Sequence, residues 1–242
     1  SQTDVSAYWS DPGSLGVSKA IWDWGDGSFC DTEVPESPCA VYEPSGSTPG
    51  QVTGSHTYTE PGVYTLWLSL LDGEDHTAEV IYEFVVVYSL EGGDGFVTGG
   101  GWIWSEAGWC QLDDLCAAVE GKASFGFVSR YKKGADTPTG TTEFNFSAGG
   151  LNFHSDSYEW LVVNQAGTNA QFKGEGTING DLDINGNPYK FMIWAQDEDP
   201  DGDAFRIKIW YELNDDGEEY VVYDNGFDQP IDGGSIVIHQ GE

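Results

Sequence analysis

Apolar residues recur at every second position along most of this chain, in short runs separated by turns rich in Gly, Asp and Pro. In residues 63–71, Tyr64, Leu66, Leu68 and Leu70 share one face. In residues 204–213, Phe205, Ile207, Ile209, Tyr211 and Leu213 face one way, with Arg206, Lys208 and Glu212 opposite. That is the signature of a strand with one buried side. The pattern predicts strands over residues 3–9, 17–23, 51–57, 63–71 and 77–88. After a change of texture at residues 89–95 it predicts more over 123–131, 141–146, 157–163, 170–178, 189–195, 204–213, 220–223 and 235–239. No window sustains a helical period, although residues 112–119 have room for one turn. The expected fold is all-β, with two tandem antiparallel β-sandwich-like domains at residues 1–90 and 91–242.

Composition supports this reading and narrows the partners. The 242 residues include 33 Gly and a single Met, a profile of strands and tight turns. Forty-one Asp and Glu stand against nine Lys and Arg, a net charge of −32, which repels phosphate backbones and anionic lipid headgroups alike. Hydrophobic content of 39% with 14% aromatics is too rich for disorder. No apolar run approaches the roughly 18 residues of a membrane-spanning helix. Ser1-Gln2-Thr3 is not an initiator start, which reads as a mature product of a removed leader. Four cysteines fall in two short-range pairs, Cys30/Cys39 and Cys110/Cys116. Of the three possible connectivities the local one is the natural expectation, and it implies an oxidising, extracellular setting.

Two stretches carry a family resemblance. Trp22-Asp23-Trp24-Gly25-Asp26-Gly27, then Ser55-His56-Thr57-Tyr58 and Pro61-Gly62-Val63-Tyr64-Thr65-Leu66, resemble the PKD domain over residues 1–90. The resemblance implies an immunoglobulin-like sandwich of the kind used as a spacer or adhesive module. Phe96-Val97-Thr98-Gly99-Gly100-Gly101-Trp102-Ile103 begins a second likeness. With Gly121–Val128, Gly149–His154, Phe205–Trp210 and the closing Gly233–His239, it resembles the post-COAP-type domain. That family closes secreted prokaryotic proteins and implies no activity. Trp104, Trp109, both nearby cysteines and a longer loop at residues 181–188 depart from its pattern.

Candidate chemistry lies in the acidic loops and the tryptophans. Asp197, Asp199, Asp201 and Asp203 place carboxylates at alternate positions with Gly202 for the turn. Asp181, Asp183 and Asn185 repeat that start before Gly186. Alternating oxygens suit Ca²⁺, which takes six to eight of them. Neither loop is an EF-hand, and both are also ordinary hairpin tips. His56 and Asp26 invite a catalytic reading, against which stand their roles as turn and corner residues. The four histidines lack transition-metal spacing. Trp102, Trp104 and Trp109 crowd one segment, with Trp102 and Trp104 on one strand face, a platform for sugar rings or a protein interface. Trp67 and Trp210 point to the polar faces of their strands, where an indole wants a partner.

The leading expectation is a non-enzymatic, extracellular structural or adhesive protein, supported by calcium. It either self-associates, in the sharper form as a cell-surface filament subunit, or binds a surface protein or glycan. A carbohydrate-binding accessory module is the alternative. A glycan-acting hydrolase comes third, supported only by the abundance of carboxylates.

Overall fold

A computed structural model describes residues 2–10, 16–45, 48–59, 62–73, 76–87, 95–198, 202–213 and 218–240, apart from the side chains of Ser18, Glu83 and Phe84. The chain is all-β and antiparallel, and it divides into two compact units, Ser1–Tyr88 and Ser89–Glu242.

The first unit contains β1 (Gln2–Trp9), β2 (Val17–Asp23), β3 (Phe29–Asp31), β4 (Ala40–Tyr42), β5 (Gly50–Thr57), β6 (Gly62–Asp72) and β7 (Thr77–Val87). They form two sheets, ordered β1-β5-β4 and β3-β2-β6-β7. Trp22, Leu66 and Leu68 from the four-stranded sheet and Trp9 and Val52 from the three-stranded one share a single buried cluster. The alternation of residues 63–71 is the inner face of β6. Strands β3 and β4 fall in the Pro- and Ser-rich stretch where the pattern predicts none. Three residues are too few to show a period. They are held instead by pairing to β2 and β5 and by the Cys30–Cys39 disulfide.

The second unit contains β8 (Phe96–Ser105), α1 (Asp114–Ala117), β9 (Gly121–Tyr131), β10 (Pro138–Phe146), β11 (Leu151–Val163) and β12 (Asn169–Ile178). It continues with β13 (Tyr189–Gln196), β14 (Ala204–Glu212), β15 (Glu219–Asp224), β16 (Gln229–Pro230) and β17 (Gly233–His239). Its two layers are halves of one sheet, ordered β15-β14-β13-β12-β11-β10-β9-β8-β17, with the short β16 on β14. The sheet curls until β9 faces β14, where Phe125 stacks on Phe205 with centroids 3.9 Å apart. Phe144 of β10 likewise meets Tyr223 of β15 at 4.6 Å. β11 begins six residues before its predicted start: Leu151, Phe153 and Ser155 alternate inward there, and register shifts at Ser155/Ser157 and Tyr158/Trp160 separate that half from the predicted one.

Two seams join the ends of this order. The loop after β8 bridges Cys110 to Tyr223 of β15, and Asp224 N–H donates to Trp109 O at 3.0 Å. The single turn α1 sits in this loop, capped by Asp113 and closed by the Cys110–Cys116 disulfide. Gly149 packs there because a Cβ would lie 2.3 Å from Cys116 Sγ. At the other end Gly101 lets β17 approach β8, since a Cβ would stand 2.3 Å from Gly233 O.

Candidate functional site

The acidic loop between β13 and β14 closes the second seam. β17 is the last strand of its sheet, so half of its amides face away from β8. Ile236 N–H donates to Asp203 Oδ2 at 2.6 Å, and Ile238 N–H donates to Asp197 Oδ2 at 3.0 Å. Ile231 N–H adds a bond to Asp203 O. The two carboxylates thus act as edge acceptors for the closing strand. Asp199 and Asp201 lie outside the described residues. In the loop between β12 and β13, Asp183 is buried and accepts from the Asn185 and Asn187 amides, each at 2.8 Å. Asn185 donates its side-chain amide to Glu212 O, while Asp181 is exposed. Among the described residues no three His, Cys, Asp or Glu side chains form a metal-holding group.

The tryptophan segment separates into two environments. On β8, Val97, Ile103 and Ser105 point inward, which turns Trp102 and Trp104 outward together. Trp104 is 45% exposed. Trp102 is half-buried, with Lys122 Nζ 4.8 Å from its ring centroid. The backbone beneath is fixed: Trp104 N–H donates to Asp232 Oδ2, and Gln229 donates to Trp104 O, both at 3.0 Å. Across the sheet, Trp102 is level with Ser124 of β9, Ser124 with Asn145 of β10, and Asn145 with Asn152 of β11. An indole pair therefore stands at the end of a row of small hydrogen-bonding side chains. Trp109 lies on the loop instead, packed against the core with Phe227 edge-on at 5.9 Å. Three neighbours in sequence cannot all share a strand face once the strand ends at Ser105.

Trp210 reverses one expectation. It does face the polar side of β14, yet it is only 1% exposed. Lys208 and Lys173 roof it, their ammonium groups 5.2 and 5.9 Å from the ring centroid, and Arg206 covers Trp194 at 4.5 Å. Each cation also has an acid: Lys173–Glu159 at 3.0 Å, Arg206–Asp224 at 3.0 Å, and Lys208–Glu219. Lysine stems bury apolar surface while their heads stay paired, so an outer sheet face carries a second, smaller packed layer. Trp67 follows the expectation and is 41% exposed.

In the first unit, His56 Nε2 is 2.7 Å from Asp26 Oδ2 and 3.3 Å from Ser28 Oγ, and Ser28 donates to Asp26 Oδ1. A nucleophile relay needs the acid on one ring nitrogen and the hydroxyl on the other. Here both meet the same nitrogen, and the cluster locks the Asp23–Ser28 turn beneath Trp24. Burial alone would raise the Asp26 carboxyl, but hydrogen bonds from Ser28 and His56 outweigh it and hold it below its ordinary value. Burial pushes Tyr223 well above the usual phenol range, against the bond it donates to Ser105.

No family model, curated protein or solved structure matches this chain. Both disulfides are formed, which fits an oxidising environment, and among the described residues no helix is long and apolar enough to cross a membrane.

Proposed function

We propose that the protein is a non-enzymatic, secreted structural or adhesive module, with a PKD-like first unit and a post-COAP-like second unit, that binds copies of itself or a cell-surface partner. The observation that carries this reading is Trp104, 45% exposed on a sheet whose backbone is fastened on both sides of it. A rigid strand that presents an indole to water is a contact surface, since burying it on a partner costs no folding and removes a large apolar area from solvent. The charge of −32 opposes association of like copies, so screening salt or bound calcium belongs to the proposal. Calcium would draw on the acidic loops, where Asp197 and Asp203 each have one oxygen already committed to β17. Sedimentation at rising concentration, with calcium, with chelator and with high salt, tests it. The expected result is a mass increase under calcium or salt that Trp104→Ala removes. A monomer under all conditions refutes self-association.

A carbohydrate-binding role is the second reading, favoured by the row Ser124, Asn145 and Asn152 beside Trp102. Sugar rings stack on indoles while their hydroxyls bond to such side chains. Glycan-array binding lost in both Trp102→Ala and Trp104→Ala would establish it, and absence of binding across plant, algal and microbial glycans would reject it.

A further inference from the structure

The first unit ends its four-stranded sheet on β7, and among the described residues β7 has no ladder partner beyond β6. Such edges are usually blunted by lysine, proline or a bulge. Here the register with β6 runs unbroken from Leu71/Thr77 to Leu66/Tyr82, and a shift follows only between Tyr64 and Leu66. Residues 77–82 are therefore a regular edge of ordinary strand length. Val80 and Ile81 are each 56% exposed and Tyr82 is 63% exposed. They lie on both faces: Ile81 stands beside Trp67 outside, while Val80 and Tyr82 stand beside the buried Leu68 and Leu66 inside. The inner apolar layer thus runs past its cover to the edge. A strand added here would bury its apolar set against Val80 and Tyr82 and lay the alternate set along the face that holds Glu79 and Ile81.

Charge selects the occupant. Residues 1–88 hold fourteen Asp and Glu against one lysine, a net −13. That lysine, Lys19, already contacts Asp31 at 2.7 Å and Glu33 at 3.0 Å. The exposed edge adds Glu79. The first unit of a second copy would bring another −13 and its own glutamate to the contact. We propose that residues 77–82 take up an extended segment of another protein, alternating apolar with lysine or arginine residues, as a fifth strand of this sheet. The proposal lies in the other unit from Trp104 and stands whether or not that indole is a contact.

A labelled nine-residue peptide of alternating Val and Lys is the probe, with a Val/Glu version and a Val/Lys version carrying a central Pro as controls. Fluorescence anisotropy and hydrogen exchange on the full chain read the outcome. Expected is saturable binding about tenfold tighter than either control, weakened by salt, with exchange slowed selectively over residues 77–82. Ile81→Lys should lose about tenfold in affinity with an unchanged melting temperature, since the side chain is exposed. Trp104→Ala should change nothing. Binding that the proline peptide matches, or that leaves residues 77–82 unprotected, overturns the proposal, as does no binding at millimolar peptide. A concentration-dependent dimer that Ile81→Lys dissociates would give the edge to a second copy, and also overturns it.

Discussion

Replacing Asp203 by Ala is expected to loosen the closing strand of the second unit. The substitution removes the acceptor 2.6 Å from the Ile236 amide on a strand whose Ile236 and Ile238 side chains are buried. A hydrogen bond to a charged group contributes about 1.5–3 kcal/mol, so Asp203→Ala should cost about 2 kcal/mol. For a unit of this size that lowers the melting temperature by roughly 4–8 °C. Asp203→Asn keeps an acceptor but not the charge, and should cost about half as much. Asp197→Ala removes the longer bond, at 3.0 Å to Ile238, and should cost about 1–2 kcal/mol. The double variant should lose less than the sum, because a strand already lifted at one amide has less to lose at the next. Urea unfolding followed by tryptophan fluorescence, with hydrogen exchange at Ile236, measures this with and without chelator. The loss should persist in full with chelator, since the carboxylate bonds an amide, and calcium held by the second oxygen would only add to it. A change under about 0.5 kcal/mol with undiminished protection at Ile236, or a loss seen only when calcium is present, would refute the edge-acceptor role.

Two further outcomes are expected. Asp26 is held below its ordinary value in the folded state, so its contribution is present above the unfolded carboxylate pKa and is lost as pH falls through the folded one. Asp26→Asn should cost about 1–2 kcal/mol at neutral pH, and its urea midpoint should converge with the parent's as pH falls below the ordinary carboxylate range; curves that stay parallel would exclude the linkage. Joint Cys-to-Ala replacement of either disulfide pair should cost roughly 2–3 kcal/mol on loop entropy, and non-reducing peptide maps should show Cys30 linked to Cys39 and Cys110 to Cys116.

Alternation marks most of the strands, though the prediction stops short of the first half of β11, where Leu151, Phe153 and Ser155 alternate inward. β6 and β14 read correctly because each packs one face and leaves the other to polar groups, which is the condition for a period of two. β3 and β4 were invisible because sheet partners and a disulfide hold them, and neither writes a local pattern. The curl of the second sheet was equally hidden, since strand order is a property of pairing between distant segments. Trp210 shows how residue type misleads: its place among polar neighbours was legible, but lysine stems count as polar in sequence and pack as hydrocarbon in space. In the acidic loop, Asp197 and Asp203 have a role in the fold that their spacing alone does not announce. Spaced carboxylates announce acceptors of positive charge or hydrogen, and the amides of β17 lie more than thirty residues onward.

The roof over Trp210 and Trp194 has a consequence for proteolysis. Trypsin-like enzymes need an extended, accessible segment with Lys or Arg, and this chain offers only nine such residues. Lys173, Lys190, Arg206 and Lys208 sit within strands, each ion-paired. Lys19, Lys122 and Arg130 are also in strands, which leaves Lys132 and Lys133, exposed in the turn between β9 and β10. A protease of that specificity meets one hairpin tip on an otherwise closed substrate. Cutting there would leave a nicked unit held together by its remaining ladder, so digestion would advance at the pace of unfolding.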